Sequence, residues 1–176
     1  MFILEGGQVP RMELYLFRHG IAEDAEPGSP DSARELTAEG REKVSDVIRM
    51  VRRAGTNPAV IVSSPYIRAF QTAGIAAKDF GYDGEVYRLE SLVPHGMPER
   101  AWHDLRDFAH EPSMLVAGHE PLLGSLAAFL LNSPALRLDV KKASMIRIDL
   151  DATKSHPHGV LRWVLAPKLA RSLTDV

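Results

Sequence analysis

Short apolar runs alternate along this chain with stretches in which apolar residues recur at helical spacing. Three of the runs are continuously apolar and lie at residues 14–17, 59–62 and 114–117. A continuous run of this length is typical of a strand that is covered on both faces. Residues 86–89 form a weaker run, and residues 145–150 and 160–165 alternate more clearly between apolar and polar side chains. The continuous runs therefore predict buried strands, and the two alternating segments predict a hairpin at an edge of the sheet.

Four helices are predicted between these strands. The first begins after the candidate N-cap Thr37 and ends at Gly55. The others cover residues 65–80, residues 98–108 and residues 122–131. Because strands and helices alternate, we expect an α/β protein with a mostly parallel central sheet and helices on both faces, which is a three-layer α/β/α sandwich.

The chain is predicted to contain a single domain over residues 12–176, preceded by a leader at residues 1–11. Met12 directly precedes the first predicted strand, and the residues before it show neither helical nor strand periodicity. The leader is therefore expected to lie outside the core, and an added edge strand is the alternative. Residues 23–31 are rich in proline, glycine and acidic side chains, which makes this segment a candidate loop for covering a site.

Composition and charge exclude several classes of protein. The 176 residues include no cysteine, so disulfide bonds, iron–sulfur clusters, zinc ribbons and thiol nucleophiles are excluded. The 21 lysines and arginines are balanced by 23 aspartates and glutamates, which leaves no overall positive field to hold nucleic acid. The most apolar helical stretch, residues 122–131, has about half the length of a membrane span. We therefore expect a cytoplasmic protein with no nucleic-acid or membrane partner.

Residues that can do chemistry follow each continuously apolar run. They are Arg18, His19 and Gly20 after the first run, Arg68 after the second, and His119 after the third. In a parallel α/β sheet the carboxyl ends of the strands meet at one edge, and ligands bind there. Each of these residues taken alone also fits a surface charge, a turn or a buried hydrogen-bonded group. Their coincidence after three separate strands favours one functional site.

Two arginines and two histidines at one site favour phosphoryl transfer. Guanidinium groups present forked donors that match phosphate oxygens, so two of them can hold a phosphoryl group without a metal ion. A neutral imidazole is a nucleophile, and a second imidazole, if protonated, can donate to a phosphoryl oxygen in the transition state. A serine triad is not favoured, because the sequence contains no Gly-x-Ser-x-Gly motif. The residue types therefore predict a phosphohistidine intermediate formed without a metal or cofactor.

The sequence around these residues resembles the histidine phosphatase superfamily, which includes the cofactor-dependent phosphoglycerate mutases. The motifs that carry the resemblance are Leu16-Phe17-Arg18-His19-Gly20, Leu36-Thr37-x-x-Gly40, Ser63-Ser64-Pro65-x-x-Arg68-Ala69-x-x-Thr72 and Gly118-His119. The short length, the segment Ser144-Met145-Ile146 and the closing Trp163-x-Leu165-x-Pro167 are similar to the SixA-type phosphohistidine phosphatases. The resemblance covers almost all of residues 12–165 and implies a phosphoglycerate mutase-like fold.

The resemblance implies a role for each matching residue. His19 would be the nucleophile, and Arg18 and Arg68 would bind the phosphate. His119 would be the second histidine of the pocket and would also contact the phosphate. Gly20 would allow the backbone to approach the phosphate closely.

Two further site residues are suggested by the resemblance, each with an ordinary alternative. Arg34 matches a phosphate-binding arginine of SixA-type chains, and its alternative is a solvated loop charge. Glu90 follows the third strand, where mutases and ester phosphatases carry the glutamate that protonates the leaving oxygen, and its alternative is a solvated glutamate. Ser63 and Ser64 fit cap or turn residues as well as ligands. His95 has no motif around it and is expected at the surface.

The resemblance thus implies a phosphatase that acts through a phosphohistidine enzyme intermediate. Phosphohistidine on a protein is the favoured substrate, and a small-molecule phosphate ester is the alternative. Mutase activity and a non-catalytic phosphate-binding domain are further alternatives, because fold alone does not fix function. The expected partner is accordingly a phosphorylated protein or a small phosphate ester.

Overall fold

The strands form one six-stranded sheet in the computed structural model, which describes residues 11–174. They are β1 (Met12–Arg18), β2 (Val60–Ser63), β3 (Val86–Arg88), β4 (Ser113–Gly118), β5 (Met145–Leu150) and β6 (Val160–Leu165). Their order across the sheet is β3-β2-β4-β1-β5-β6. The first four strands pair in parallel, whereas β5 and β6 pair antiparallel to their neighbours. All six strands were predicted, and the edge hairpin is confirmed. All of the predicted leader 1–11 except Arg11 lies outside the described residues.

Helices cover both faces of the sheet and complete the predicted three layers. They are α1 (Ala38–Arg53), α2 (Ile67–Phe80), α3 (Pro98–Leu105), α4 (Leu122–Leu130) and α5 (Pro167–Thr174). Leu14 and Leu16 of β1 pack into one apolar core with α3 and α4. Tyr15 and Phe17 point to the other face and pack with α1, α2 and α5. Within residues 11–174, no helix has the length and apolar character required to cross a membrane.

Two glycines hold the loop after β1 against the start of α1. Thr37 caps α1, because its Oγ1 accepts the Gly40 N–H at 2.9 Å, and the Thr37 N–H donates to the Ile21 carbonyl at 2.9 Å. A Cβ on Gly40 would lie 2.1 Å from the Ile21 carbonyl oxygen, and a Cβ on Gly20 would lie 2.7 Å from the Gly40 carbonyl oxygen. These backbones approach too closely for side chains, so Gly20 has a packing role next to the predicted site.

The end of the chain differs from the sequence prediction in two respects. β5 does not alternate but is buried along its length apart from Arg147, because it lies between β1 and β6 and contributes to both cores. α5 is absent from the predicted elements. Ala166, Leu169, Ala170 and Leu173 recur at helical spacing, a signal that the sequence analysis did not use. Ala170 is buried in the core shared with α1 and α2, whereas Leu169 is 54% exposed.

A charged network connects β1, β5 and β6 on one face of the sheet. Asp149 is 6% exposed and accepts hydrogen bonds from Arg162 Nε at 2.6 Å and Arg147 Nε at 2.9 Å. Arg147 also donates to Glu13 at 2.6 Å. Burial raises the pKa of Asp149, but the hydrogen bonds from both arginines outweigh it and hold this pKa below its usual value.

Candidate active site

The carboxyl ends of β1, β2 and β4 surround one cavity. Arg18 lies opposite Gly118 in the sheet register, and the His19 N–H donates to the Gly118 carbonyl at 3.0 Å. On the other side, the Ala143 N–H donates to the His19 carbonyl at 3.0 Å. The His19 backbone is thus fixed from both sides. The cavity has a volume of about 470 Å³ and is lined by Arg18, His19, Asp31, Arg34, Tyr66, Arg68, Pro94, His95, His119, Glu120 and Lys142.

His19 is held in the form that a nucleophile requires. Its side chain is buried, and its Nδ1 lies 2.7 Å from the Gly20 carbonyl oxygen, which can only accept a hydrogen bond. The proton therefore lies on Nδ1, and the lone pair lies on Nε2, where it accepts the Nε–H of Arg68 at 3.3 Å. Burial, followed by the charges of Arg68 and Arg18, lowers the pKa of His19 to about 4. The imidazole is neutral at pH 7, and Nε2 can attack once its lone pair is released from the Arg68 Nε–H.

Arg68 is positioned by a residue that the sequence analysis did not identify. Its Nη1 donates to the Asp31 carbonyl at 2.6 Å, and its Nη2 donates to the Asp31 carboxylate at 2.8 Å. The same carboxylate accepts a hydrogen bond from Arg34 at 2.9 Å, and this contact, with the bond from Arg68, holds the pKa of Asp31 below its usual value. Asp31 is the last residue of the segment 23–31, which was predicted to cover a site. The proline, glycine and acidic residues of that segment were the only indication in the sequence that Asp31 lies near the site.

Arg18 retains an unused donor at the site. Its Nη1 donates to the Val140 carbonyl at 2.5 Å, while its buried Nε has no hydrogen-bond partner among the described residues. An unpaired N–H on a buried guanidinium is costly unless a ligand satisfies it. The geometry of Arg18 therefore suits an anionic ligand in the cavity.

The cavity carries a net positive charge. Four cationic side chains line it, namely Arg18, Arg34, Arg68 and Lys142, against the two carboxylates of Asp31 and Glu120. This excess suits a phosphoryl group, which carries negative charge on several oxygens. Lys142 was not predicted, because the connection before β5 carries no motif. Glu120 directly follows His119, and burial raises the pKa of its carboxyl group.

His119 lies beside His19 and is almost completely buried. It is 1% exposed, and the two ring centroids are 4.9 Å apart. Its Nε2 lies 2.9 Å from Ser64 Oγ, whereas its Nδ1 has no hydrogen-bond partner among the described residues. Burial lowers the pKa of His119 to about 3. This imidazole is therefore neutral at pH 7, and a donor on it has to be the N–H of the neutral ring.

The remaining predicted residues divide between the cavity and the surface. Arg34 lines the cavity. His95 is exposed, as predicted, and it also lines the cavity. Glu90 is exposed and begins a short 3₁₀ turn, Glu90–Leu92, that turns Leu92 into the core. Glu90 is not among the residues that line the cavity.

A second, larger cavity adjoins the first at Glu120. Its volume is about 750 Å³, and Glu120 belongs to the walls of both cavities. The walls come from α4, from the segment 132–138 and from the segment 156–158, in which both histidines are exposed and Pro157 is buried. Within residues 11–174, no group of three or more histidine, cysteine, aspartate or glutamate side chains is arranged to hold a metal ion.

Comparison with known proteins gives matches along most of the chain. The family model of the histidine phosphatase superfamily (branch 1) matches residues 14–93. An uncharacterized protein of the cyanobacterium Picosynechococcus sp. is 34% identical over 151 residues, which cover 84% of this chain and 90% of that protein.

Solved structures share the fold at lower identity. The protein histidine phosphatase SixA, solved in complex with tungstate, superposes with a TM-score of 0.78 and 24% identity over 89% of this chain and 98% of that chain. A mycobacterial glucosyl-3-phosphoglycerate phosphatase superposes with a TM-score of 0.67 and 19% identity over 86% of this chain and 97% of that chain. The predicted phosphoglycerate mutase-like fold is thereby confirmed.

Proposed function

The chain belongs to the histidine phosphatase superfamily, and we propose that it removes phosphoryl groups from phosphohistidine on a protein through a phosphohistidine intermediate at His19. The observation that carries this proposal is the state of His19. Its ring is neutral, and its Nδ1 proton is bound to the Gly20 carbonyl. Its unprotonated Nε2 accepts the Arg68 Nε–H at the wall of a cavity with excess positive charge. No metal ion or cofactor takes part in the proposed reaction.

The reaction has two displacement steps. His19 Nε2 attacks phosphorus while the bond from phosphorus to the substrate ring nitrogen breaks. The substrate ring, which has taken a proton from solvent on its other nitrogen, keeps the electron pair and leaves as neutral imidazole. Water then attacks phosphorus, the Nε2–P bond breaks, and inorganic phosphate leaves while His19 regains its lone pair. Arg18 and Arg68 would hold the phosphoryl oxygens through both steps, aided by Arg34.

The choice of phosphohistidine depends on the weak supply of acids in the cavity. An alkoxide that leaves from a phosphate ester is strongly basic and needs a proton, whereas imidazole is a far better leaving group. Glu90, the predicted acid, is exposed outside the cavity, and Asp31 is ion-paired with a lowered pKa. Glu120 is the remaining carboxyl group of the lining, and its Oε1 is engaged by the Gly124 N–H at 2.9 Å. A substrate that needs little acid catalysis therefore suits this cavity best.

Hydrolysis of a small phosphate ester is the second candidate function, and Glu120 favours it. Its carboxyl group lines the cavity, and burial raises its pKa, as a general acid requires. One structural relative is a glucosyl-3-phosphoglycerate phosphatase. In this reading Glu120 would protonate the leaving oxygen in place of Glu90.

The intermediate is tested by rapid quench with ³²P-labelled substrate. Wild-type protein should give an acid-labile, base-stable adduct, because a phosphorus–nitrogen bond has that stability, and His19→Ala should abolish it. The exposed His103 provides the matched control, since His103→Ala should retain the adduct. An adduct that survives in His19→Ala would contradict the assignment of the nucleophile.

The substrate class is tested with Glu90→Gln and Glu120→Gln on a phosphohistidine protein and on an alkyl phosphate. If phosphohistidine is the substrate, both variants should hydrolyse it within a few-fold of wild type. If an ester is the substrate, loss of its acid should slow hydrolysis by about 10²-fold or more. A loss of that size in ester hydrolysis with Glu120→Gln would show that a phosphate ester is the substrate and Glu120 its acid. The same loss with Glu90→Gln would show that Glu90 reaches the substrate.

A further inference from the structure

The hydroxyl group of Ser64 is a buried polar group with no part in the steps above. Ser64 directly follows β2 and is 0% exposed, and its N–H donates to the Ala117 carbonyl at 2.9 Å. Its Oγ accepts the Tyr66 N–H at 3.3 Å and lies 2.9 Å from His119 Nε2. Backbone contacts therefore fix the hydroxyl group directly against one nitrogen of the second histidine.

Hydrogen-bond counting determines which nitrogen of His119 carries the proton. If Nε2 carried it, Nε2–H would donate to Ser64 Oγ, and both the Ser64 hydroxyl hydrogen and the Nδ1 lone pair would be buried without a partner. If Nδ1 carries it, the Ser64 hydroxyl donates to Nε2, and only the Nδ1–H remains without a partner. Because each unmet polar group in the interior is costly, the second arrangement is favoured.

We propose that Ser64 is a positioning residue that fixes the Nδ1–H tautomer of His119, so that this neutral imidazole presents its single N–H donor to a phosphoryl oxygen. This inference rests on the proposed phosphatase function only in naming a phosphoryl group as the ligand. An anionic oxygen would satisfy the His119 Nδ1–H, which has no partner among the described residues.

The two histidines would then present opposite groups to the same ligand. His19 is fixed by the Gly20 carbonyl with its lone pair on Nε2, and His119 is fixed by Ser64 with its hydrogen on Nδ1. Their ring centroids are 4.9 Å apart. One imidazole can therefore attack phosphorus while the other donates to an oxygen, and neither has to change its protonation state beforehand.

Nitrogen-15 NMR of the free protein tests the tautomer without any substrate. The ring nitrogens of a neutral histidine give different ¹⁵N shifts according to which one carries the hydrogen, and wild-type His119 should show Nδ1–H. Ser64→Ala should redistribute the hydrogen between the two nitrogens. Ser63→Ala is the matched control, because Ser63 Oγ donates to the Ser64 carbonyl rather than to His119. Wild-type protein with Nε2–H on His119 would overturn the proposal.

Kinetics of substitutions at His119 provide a second, independent test. An asparagine amide nitrogen occupies about the place of Nδ1, whereas a glutamine amide nitrogen reaches the place of Nε2. Loss of one such donor typically costs about 10²-fold in kcat, so His119→Asn should exceed His119→Gln by at least about tenfold. Ser64→Ala should lower kcat/KM by about tenfold, with Ser63→Ala within about threefold of wild type. Equal activity of the asparagine and glutamine variants would overturn the proposal.

The two tests also separate this inference from the proposed function. If wild-type protein turns over neither phosphohistidine nor any phosphate ester, the proposed function fails, but the tautomer of His119 is still measured. Orthovanadate is then the probe, because it offers the same oxygens as a phosphoryl group. Its addition should shift the His119 Nδ1–H resonance in wild type at lower vanadate concentration than in Ser64→Ala, where only part of the protein carries this hydrogen. An unchanged wild-type resonance would count against Nδ1 as the donor.

Discussion

Acidification should destabilise this protein through its two buried histidines. Burial lowers the pKa of His19 to about 4 and that of His119 to about 3, whereas an unfolded histidine has a pKa of about 6.5. Below about pH 6.5 the unfolded chain therefore binds protons that the folded protein does not bind. The free energy of unfolding must fall as the pH decreases through this range, down to the folded pKa values near 4 and 3.

The size of the effect follows from these pKa values. At pH 5 the linkage relation gives about 2 kcal/mol for each histidine relative to pH 8, because the unfolded ring is mostly protonated and the folded ring is mostly neutral. The two together give about 4 kcal/mol. In a domain of this length, 1 kcal/mol corresponds to about 2–4 °C in Tm, so the expected loss is about 8–16 °C.

Thermal unfolding followed by circular dichroism at pH 8 and pH 5 measures this loss. Wild type should lose about 8–16 °C more than the double variant His19→Gln/His119→Asn, in which neither substituted side chain titrates. The quantity compared is the change in Tm between pH 8 and pH 5 for each protein. A substitution that shifts Tm equally at both pH values therefore does not affect the comparison. His103→Gln, which removes an exposed histidine, should behave as wild type. An equal loss in wild type and double variant would refute the reasoning.

Four further outcomes are expected. Gly40→Ala should lower the free energy of unfolding in urea by about 1–3 kcal/mol, because its Cβ would meet the Ile21 carbonyl. Gly74→Ala, whose Cβ would meet open space in α2, should raise it by about 0.5–1 kcal/mol. Equal changes in the two variants would contradict the close packing at Gly40. Asp149→Asn should cost about 1 kcal/mol at pH 7, in chemical denaturation, and the cost should shrink below about pH 4 as the carboxyl group is protonated; a pH-independent cost would refute this. Prolonged treatment with EDTA should leave turnover unchanged, and a loss restored by Mg²⁺ or Zn²⁺ would show that a metal is needed. Deletion of residues 1–11 should change Tm little, and a fall of more than about 4 °C would place the leader against the core.

The layers and the strand ends were predictable because burial leaves a pattern in the sequence. A strand between two helix layers must be apolar on both faces, so residues 14–17 and 114–117 read as strands without any structure. The residues that follow such strands meet at one edge, which predicted that Arg18, Arg68 and His119 converge. α5 was predictable in the same way, because Ala166, Leu169, Ala170 and Leu173 recur at helical spacing, and its omission from the predicted helices was wrong.

Partners of the site residues were harder to predict than the residues themselves. The contact between Asp31 and Arg68 joins a loop to a helix across the cavity, and local sequence contains no information about such a pair. Glu90 was placed by its position after β3, but the short turn that follows directs its neighbour Leu92 into the core and leaves Glu90 in solvent. The protonation states of the histidines depend on burial and on Ser64, which only three-dimensional contacts reveal.

The central place of β1 has a consequence for synthesis of the protein. β1 is made first, but its two neighbours are β4 and β5, which end at Gly118 and Leu150. At about 5–20 residues per second, the ribosome needs roughly 5–20 s to add the segment between β1 and β4. During that time an apolar strand with two unpaired edges is exposed on the nascent chain. We therefore expect truncated chains that end before β5 to be captured by chaperones or to aggregate, rather than to accumulate as a folded fragment.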